Sequence, residues 1–339
     1  MLRYKAAVIG LGNIGLLYDF EPQRPHPSTH VFAYENSPMF EFVCGIDGDE
    51  LKRNVLSEVA PHSLFFLNLD EAARSGKLQN IDVISVCTPP STHLDIIRKL
   101  IHLSIGKILF CEKPIVSNLE EAGILLSELN FHKDVVVIPN ISRRWNRGIN
   151  KVSEIIRSEK LGELKKIHIR YTRGIENTGA HLFDLLKMWT GQSIKRVHAL
   201  SETHTSAFPE PSYSFYFELE NGVSGYADAM DDSFYYLFEI DLYLSKGKIE
   251  MRNSGDDIIY YQVSSHHLFK GFKELVVDNS EDNLLQDACM KNAVDNIGNV
   301  LAGVERSKCS LQDAIYPLYI ADKLKESFID KCVKEVSYV

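Results

Sequence analysis

Near its amino terminus the chain reads Ala6-Ala7-Val8-Ile9, breaks into Gly10-Leu11-Gly12-Asn13-Ile14-Gly15, and then resumes an apolar pattern. A short apolar strand that gives way to G-x-G-x-x-G and reopens as a helix is the order a dinucleotide-binding βαβ unit requires. Gly10 permits the tight turn, Gly12 clears the approach of a pyrophosphate to the backbone, and Gly15 lets the helix lie close to the sheet. The N–H groups of Asn13 and Ile14, at the positive end of that helix, then face the phosphates. Glycines at this spacing also occur in ordinary turns, so the strand before them and the helix after them carry the assignment.

The helix is interrupted almost at once. Pro22, Pro25 and Pro27 fall within six residues, and such a run cannot be helix interior. Thr29 to Tyr34 reads as a resumed helix, which makes the stretch from Tyr18 to Ser28 a loop inserted near the glycine turn. It is either a solvated excursion or a lid. The second strand, Glu41 to Ile46, ends at Asp47; once the inserted loop is subtracted, Asp47 lies at about the spacing where an acid holds the adenosine ribose hydroxyls. A carboxylate there repels a 2'-phosphate, so NAD is favoured over NADP. The plainer role for Asp47 is as a turn former before Gly48.

Ile81 to Cys87 is a near-continuous apolar strand of the buried parallel kind, and it delivers Thr88-Pro89-Pro90-Ser91-Thr92-His93 at its carboxyl end. Lys107 to Cys111 is the next strand and delivers Glu112-Lys113-Pro114 to the same edge, where open α/β sheets bind ligands. Lys113 is either a surface lysine or a proton carrier, since a partly desolvated ammonium has its pKa lowered toward neutrality. A helix from Asn118 to Leu129 and a strand from Asp134 to Pro139 complete the alternation, which implies a parallel sheet with right-handed crossovers.

Beyond Asn140 the pattern changes. Arg143-Arg144-Trp145-Asn146-Arg147 opens a helix running to about Lys160, its arginines forming a solvated patch or ringing an anionic part of a substrate. Leu182, Leu185, Leu186 and Trp189 then make one apolar helical stripe, with His181 and Asp184 on a neighbouring face and Asn177 one turn earlier. His181 is a packed residue or a proton carrier. Ile194 to Val277 is strand-rich and largely antiparallel, with an aromatic face suited to a second subunit, and helices at about Leu284 to Ala302 and Leu311 to Lys331 close the domain.

The expected fold class is therefore α/β: a Rossmann domain over 1–140, then an α+β domain with a large open sheet over 141–339. A chain of 339 residues with 45% hydrophobic content can supply both cores. The formal charge of −9 argues against nucleic acid or an anionic membrane as partner, and no apolar run is long enough to span a bilayer. Met1 to Lys5 lead straight into a strand without a signal-peptide core, and the six cysteines show no C-x-x-C pair. The expectation is a cytoplasmic protein without a metal site.

Taken together, G-x-G-x-x-G, Thr88-Pro89-Pro90 with His93, Glu112-Lys113-Pro114, the Arg143-Arg144-Trp145 helix entry and Gly179-x-His181-x-x-Asp184 fall in a telling order. In that order the whole chain resembles the glucose-fructose oxidoreductase and inositol dehydrogenase family (Gfo/Idh/MocA). The resemblance implies a homodimeric or homotetrameric enzyme that moves hydride between NAD(P) and a hydroxyl or keto carbon of a sugar, polyol or sugar nucleotide. It implies Lys113 near the nicotinamide and His181 sharing the proton transfer, with Asn177 beside them. Gly10, Gly12, Asn13, Ile14, Gly15, Asp47, Thr88, Pro89, His93, Glu112 and Lys113 fall on the cofactor side, and Arg144, Trp145, Asn177 and His181 on the substrate side. The chain departs from the family's pattern at Asn177, where an acid is frequent; an amide orients a hydroxyl without taking its proton. It also departs near Arg147, where a proline is frequent, and by the Pro22 to Pro27 insertion. NAD-assisted elimination and a non-catalytic cofactor-sensing regulator are the alternative functions.

Overall fold

A computed structural model of the chain describes residues 3–204 and 210–337. Of the strand-rich stretch expected from Ile194, residues 205–209 lie outside the described residues. The chain forms two compact units: residues up to 145 together with 288–315, and residues 146–287 together with those from 316 onward.

The first unit is built on a six-stranded parallel sheet. Its strands are β1 (Tyr4–Ile9), β2 (Phe40–Ile46), β3 (Leu64–Phe66), β4 (Val83–Val86), β5 (Ile108–Glu112) and β6 (Val136–Asn140), in the order β3-β2-β1-β4-β5-β6. This is the doubly wound dinucleotide arrangement, whose strand order reverses beside β1 and leaves a crevice at the carboxyl ends of β1 and β4. Every residue of β4 is buried, as an apolar strand covered on both faces requires. Helices α1 (His30–Glu35), α2 (Lys52–Val59), α3 (Leu69–Arg74), α4 (His93–His102) and α5 (Leu119–Phe131) fill the crossovers. Two of them begin with reciprocal caps. Asn68 accepts from the Glu71 N–H while the Glu71 carboxylate accepts from the Leu67 N–H, and Asn118 and Glu121 repeat the arrangement.

The helix after the glycine turn is broken and then continued. One helical turn forms from Gly12, a 3-10 turn follows at Leu17–Phe20, and α1 begins only at His30. The His30 and Val31 N–H groups nevertheless donate to the carbonyls of Ile14 and Gly15, so α1 takes up the ladder where the first turn left it. The intervening residues are extruded sideways as the expected inserted loop.

In the second unit β7 (Leu164–Tyr171), β8 (Ile194–Thr203), β9 (Ser212–Leu219), β10 (Ser224–Ala229), β11 (Phe238–Leu244), β12 (Gly247–Arg252), β13 (Asp257–Ser265), β14 (Lys273–Glu281) and β15 (Lys334–Glu335) form one sheet. All its pairings are antiparallel except that of β7 with β10, in keeping with the expected open sheet. Helices α6 (Arg147–Arg157) and α7 (Gly179–Thr190) pack on one face, where Phe183, Leu186, Trp189, Phe215 and Phe217 are buried together. The helix expected from Arg143 begins later, since Ser142–Trp145 is a 3-10 turn and Asn146 caps α6 by accepting from the Ile149 N–H.

The expected division at residue 140 needs correction. Helix α8 (Cys289–Leu301) packs Met290, Ala293, Val294 and Ile297 into the first unit's core with Val31, Tyr34 and Phe40, and α9 (Leu311–Asp330) starts there before continuing in the second unit. The apolar stripe of α8 announces burial but carries no mark of which sheet it covers.

Candidate functional site

A groove of about 690 Å³ opens at the carboxyl ends of β1, β2 and β4. Its wall includes Gly10, Gly12, Asn13, Ile14, Asp47, Thr88 and Pro89, all seven expected on the cofactor side. Gly10 has φ +90°, and a Cβ there would stand 2.7 Å from the Cys87 carbonyl carbon. A Cβ on Gly15 would stand 2.0 Å from the Gly10 carbonyl oxygen, whereas one on Gly12 would meet nothing within 4 Å. Two glycines thus close the turn and the third faces open space where a ligand can come against the backbone. Asp47 secures the turn from the other side. Its Oδ2 accepts from the Leu11 N–H at 2.7 Å and its Oδ1 from the Asp49 N–H at 2.8 Å, so it forms its own turn and still presents a carboxylate to the groove. These are the features a dinucleotide needs: open N–H groups at the glycine turn and an acceptor for ribose hydroxyls. Cys87 also lines the groove, but burial raises its thiol well above the ordinary value, with the Glu112 charge adding to the effect. It is no nucleophile.

Thr88 and Glu112-Lys113-Pro114 leave neighbouring strands, since Val86 pairs with Cys111. His93 joins these two ends. Its Nδ1 lies 2.8 Å from the Pro114 carbonyl oxygen and its Nε2 lies 2.7 Å from that of Thr88, with the ring fully buried. His93 therefore fixes the backbone on both sides and is not among the residues that line the groove.

Glu112 is likewise absent from the wall and belongs to a buried polar chain. Burial raises the Tyr34 phenol, its hydroxyl and that of Ser85 share a hydrogen bond of 2.9 Å, and the Ser85 hydroxyl is 2.9 Å from His30 Nδ1. His30 Nε2 lies 2.8 Å from Glu112 Oε1, which also accepts from the Asn140 amide at 2.6 Å. Trp145 Nε1–H in turn donates to Asn140 Oδ1 at 2.9 Å. Each member satisfies the next, so the peptide bearing Lys113 is set by a rigid network. Arg144 and Trp145, expected on the substrate side, are both buried. Arg144 is buried and its guanidinium bonds the Lys308 carbonyl at 3.0 Å and Asp313 at 2.9 Å, while Trp145 is 2% exposed.

In the second unit a helical turn at Gly174–Thr178 leads into α7 and carries Asn177; His181 is half-buried and Asp184 buried on the first turns of α7. The expected apolar stripe is in place, with Leu182, Leu185, Leu186 and Trp189 all buried. Glu210, which the sequence did not single out, caps this turn by accepting from the N–H groups of Glu176 and Asn177 at 3.2 and 2.7 Å. Burial pushes its carboxyl up to about 7 and the neighbouring Glu176 adds to this, against the two donors that favour its charge; Glu176 itself is paired with Lys325. The sign of the effect on stability follows. From the ordinary value of 4.5 up to about 7 only the folded state holds the Glu210 proton, so stability falls across that window as pH rises and then levels off. Glu210→Gln cannot ionise, and its Tm should gain on the unaltered chain between about pH 5 and pH 8. A Tm difference that stays constant with pH would refute the raised carboxyl.

Metal-capable side chains meet at one place among the described residues, His266, His267 and Glu274 on the β13–β14 hairpin. The two imidazoles stack at an interplanar angle of 10°, and His267 Nδ1 lies 2.8 Å from Glu274 Oε2.

Residues 4–139 match the model of the GFO_IDH_MocA oxidoreductase family, described as its NAD-binding Rossmann fold. Over this domain the chain is similar to the Gfo/Idh/MocA family. It is similar to inositol 2-dehydrogenase of Pseudarthrobacter chlorophenolicus, with 25% identity over 205 residues covering 57% of this chain and 56% of that one. The chain spans about half the length of the curated relatives it matches. The fold is shared with an oxidoreductase from Agrobacterium radiobacter solved with NAD+, L-tartaric acid and magnesium, at TM-score 0.76 and 13% identity, covering 99% of both chains. It is shared equally with the transcriptional regulator Gal80p from Kluyveromyces lactis, at TM-score 0.80 and 16% identity, covering 99% of this chain and 95% of that one. The same fold thus serves an oxidoreductase and a transcriptional regulator, so the fold alone does not assign a function.

Proposed function

We propose that the chain is an NAD-dependent oxidoreductase acting on a secondary hydroxyl of a polyol, sugar or sugar derivative. The observation that carries this reading is the meeting of two features at one sheet edge: the groove with Asp47 and its open glycine turn, and the fixed Glu112-Lys113-Pro114 turn on the adjoining strand. The similarity to inositol 2-dehydrogenase supports a polyhydroxylated substrate. A nicotinamide bound in the groove supplies the hydride acceptor. The Lys113 amine takes the hydroxyl proton as the carbon gives up hydride, leaving a ketone and a protonated lysine that releases its proton to water. His181 and Asn177 belong to the substrate side of the same reading, Asn177 orienting a hydroxyl through its amide. The network behind Glu112 gives Lys113 its position.

The test is NADH fluorescence during incubation of the chain with NAD and a panel of inositols, sugar acids and nucleotide sugars. Turnover of a polyol with NADH formation is expected; nucleotide binding without turnover on any of them would favour the second reading, a regulator like Gal80p, to which the amide at Asn177 lends itself. Asp47 gives a separate check. Asp47→Asn removes the charge while keeping an oxygen acceptor, and the preference for NADH over NADPH should shrink about tenfold. Titration of both nucleotides reads the ratio, and an unchanged ratio would take Asp47 out of the discrimination.

A further inference from the structure

The extruded loop at 17–28 is a built part of the molecule. Asp19, with no exposed side-chain surface, holds both of its ends: it accepts from the N–H groups of Ser28 and Thr29 at 2.8 Å and from the Thr29 hydroxyl at 2.5 Å, and it faces His26 Nδ1 at 2.8 Å. From this anchored loop Tyr18 enters the groove wall beside Asn13 and Ile14. The Arg24 guanidinium stacks on that ring, its Cζ 3.5 Å from the centroid, and its Nε donates to Glu21 at 2.6 Å. Among the described residues, the groove wall contains no lysine, arginine or histidine. A diphosphate at the glycine turn would therefore meet backbone N–H groups and, attached to the same wall, one cation. That cation keeps most of its five N–H donors clear of the Glu21 bond.

We propose that the loop belongs to the dinucleotide site, Tyr18 flanking the diphosphate and Arg24, carried on the Tyr18 ring, supplying its counter-charge. The inference rests on the nucleotide reading above and deepens it. Glu21 holds the guanidinium in place before the ligand arrives; the phosphate oxygens then take up the outer N–H groups, and the stacking keeps the fork planar toward them.

The experiment uses the full chain and four probes, NADH, ADP, AMP and adenosine, titrated by fluorescence or calorimetry. Arg24→Gln should weaken NADH and ADP about tenfold, the loss of one charge-assisted hydrogen bond, and leave adenosine unchanged. It should also flatten the fall of ADP affinity with rising salt. Tyr18→Phe should retain affinity, whereas Tyr18→Ala should match Arg24→Gln because the platform is gone. Arg24→Lys, with the charge kept and the fork lost, should fall between. Circular dichroism and Tm confirm that each variant is folded. Equal affinity of Arg24→Gln and the unaltered chain for ADP, or a loss that extends to adenosine, would overturn the proposal while leaving the groove intact. Failure of the unaltered chain to bind any of the four would overturn the groove reading and this inference with it.

Discussion

Lys113→Met should lower turnover of the substrate at least a hundredfold while NADH affinity stays within about twofold, because the change removes the amine and keeps the length and apolar stem of the side chain. The backbone at this position is held from outside the residue. His93 bonds the Pro114 carbonyl, and Glu112 is gripped by His30 and Asn140. The variant should therefore lose chemistry without losing shape, and the fall should appear in kcat more than in KM. Stopped-flow hydride transfer with NAD at saturation is the direct measurement. Turnover within a few-fold of the unaltered chain would remove Lys113 from the proposed mechanism and leave the proton to another group. Loss of nucleotide binding in the same variant would instead make position 113 a structural post.

The second large effect concerns the glycine turn, and there the three glycines part company. Gly15→Ala forces a methyl to within 2.0 Å of the Gly10 carbonyl oxygen, a backbone atom that cannot rotate away. The turn must shift, at about 2 kcal/mol or more, and NADH binding should be lost with several degrees of Tm. Gly12→Ala places its methyl in open space, so Tm should hold while NADH binding weakens at least tenfold. Differential scanning fluorimetry with and without NADH separates the two. A Gly12→Ala chain that binds as before would mean that nothing approaches the backbone there. A Gly15→Ala chain of ordinary stability would contradict the close packing of helix on strand.

How much of this the sequence could disclose depended on the range over which each interaction acts. The glycine turn, Asp47 and the resumption of helix at His30 were legible because each is a local pattern whose physics is complete within a few residues. Five of the six strands of the parallel sheet followed from alternation alone, while β3 is only three residues long and left no such pattern. The buried chain from Tyr34 to Trp145 was not legible: His30 and Glu112 stand 82 residues apart, and a histidine just after a proline-rich loop gives no sign of its partner. The partners of Arg144 were hidden for a related reason. A basic, aromatic cluster at a helix entry gives no sign that Asp313 and the Lys308 carbonyl, far along the chain, bond the Arg144 guanidinium. Glu210 offered no signal at all, since a lone acid beside prolines has nothing to mark it as the cap of a turn more than thirty residues earlier. The insertion was legible as a loop, while its two roles, the Asp19 anchor and the Tyr18–Arg24 stack, came only with coordinates.

Helix α8 leaves a timing imprint on how this protein is made. Tyr34 and Phe40 emerge from the ribosome early, yet the helical strip that covers them comes only after the whole of residues 146–287 has been translated. At about 5 to 20 residues per second that is a delay on the order of ten seconds. Throughout it the nascent nucleotide-binding half carries an unroofed greasy patch, a natural handhold for a chaperone and the interval in which the chain is most exposed to sticking to its neighbours.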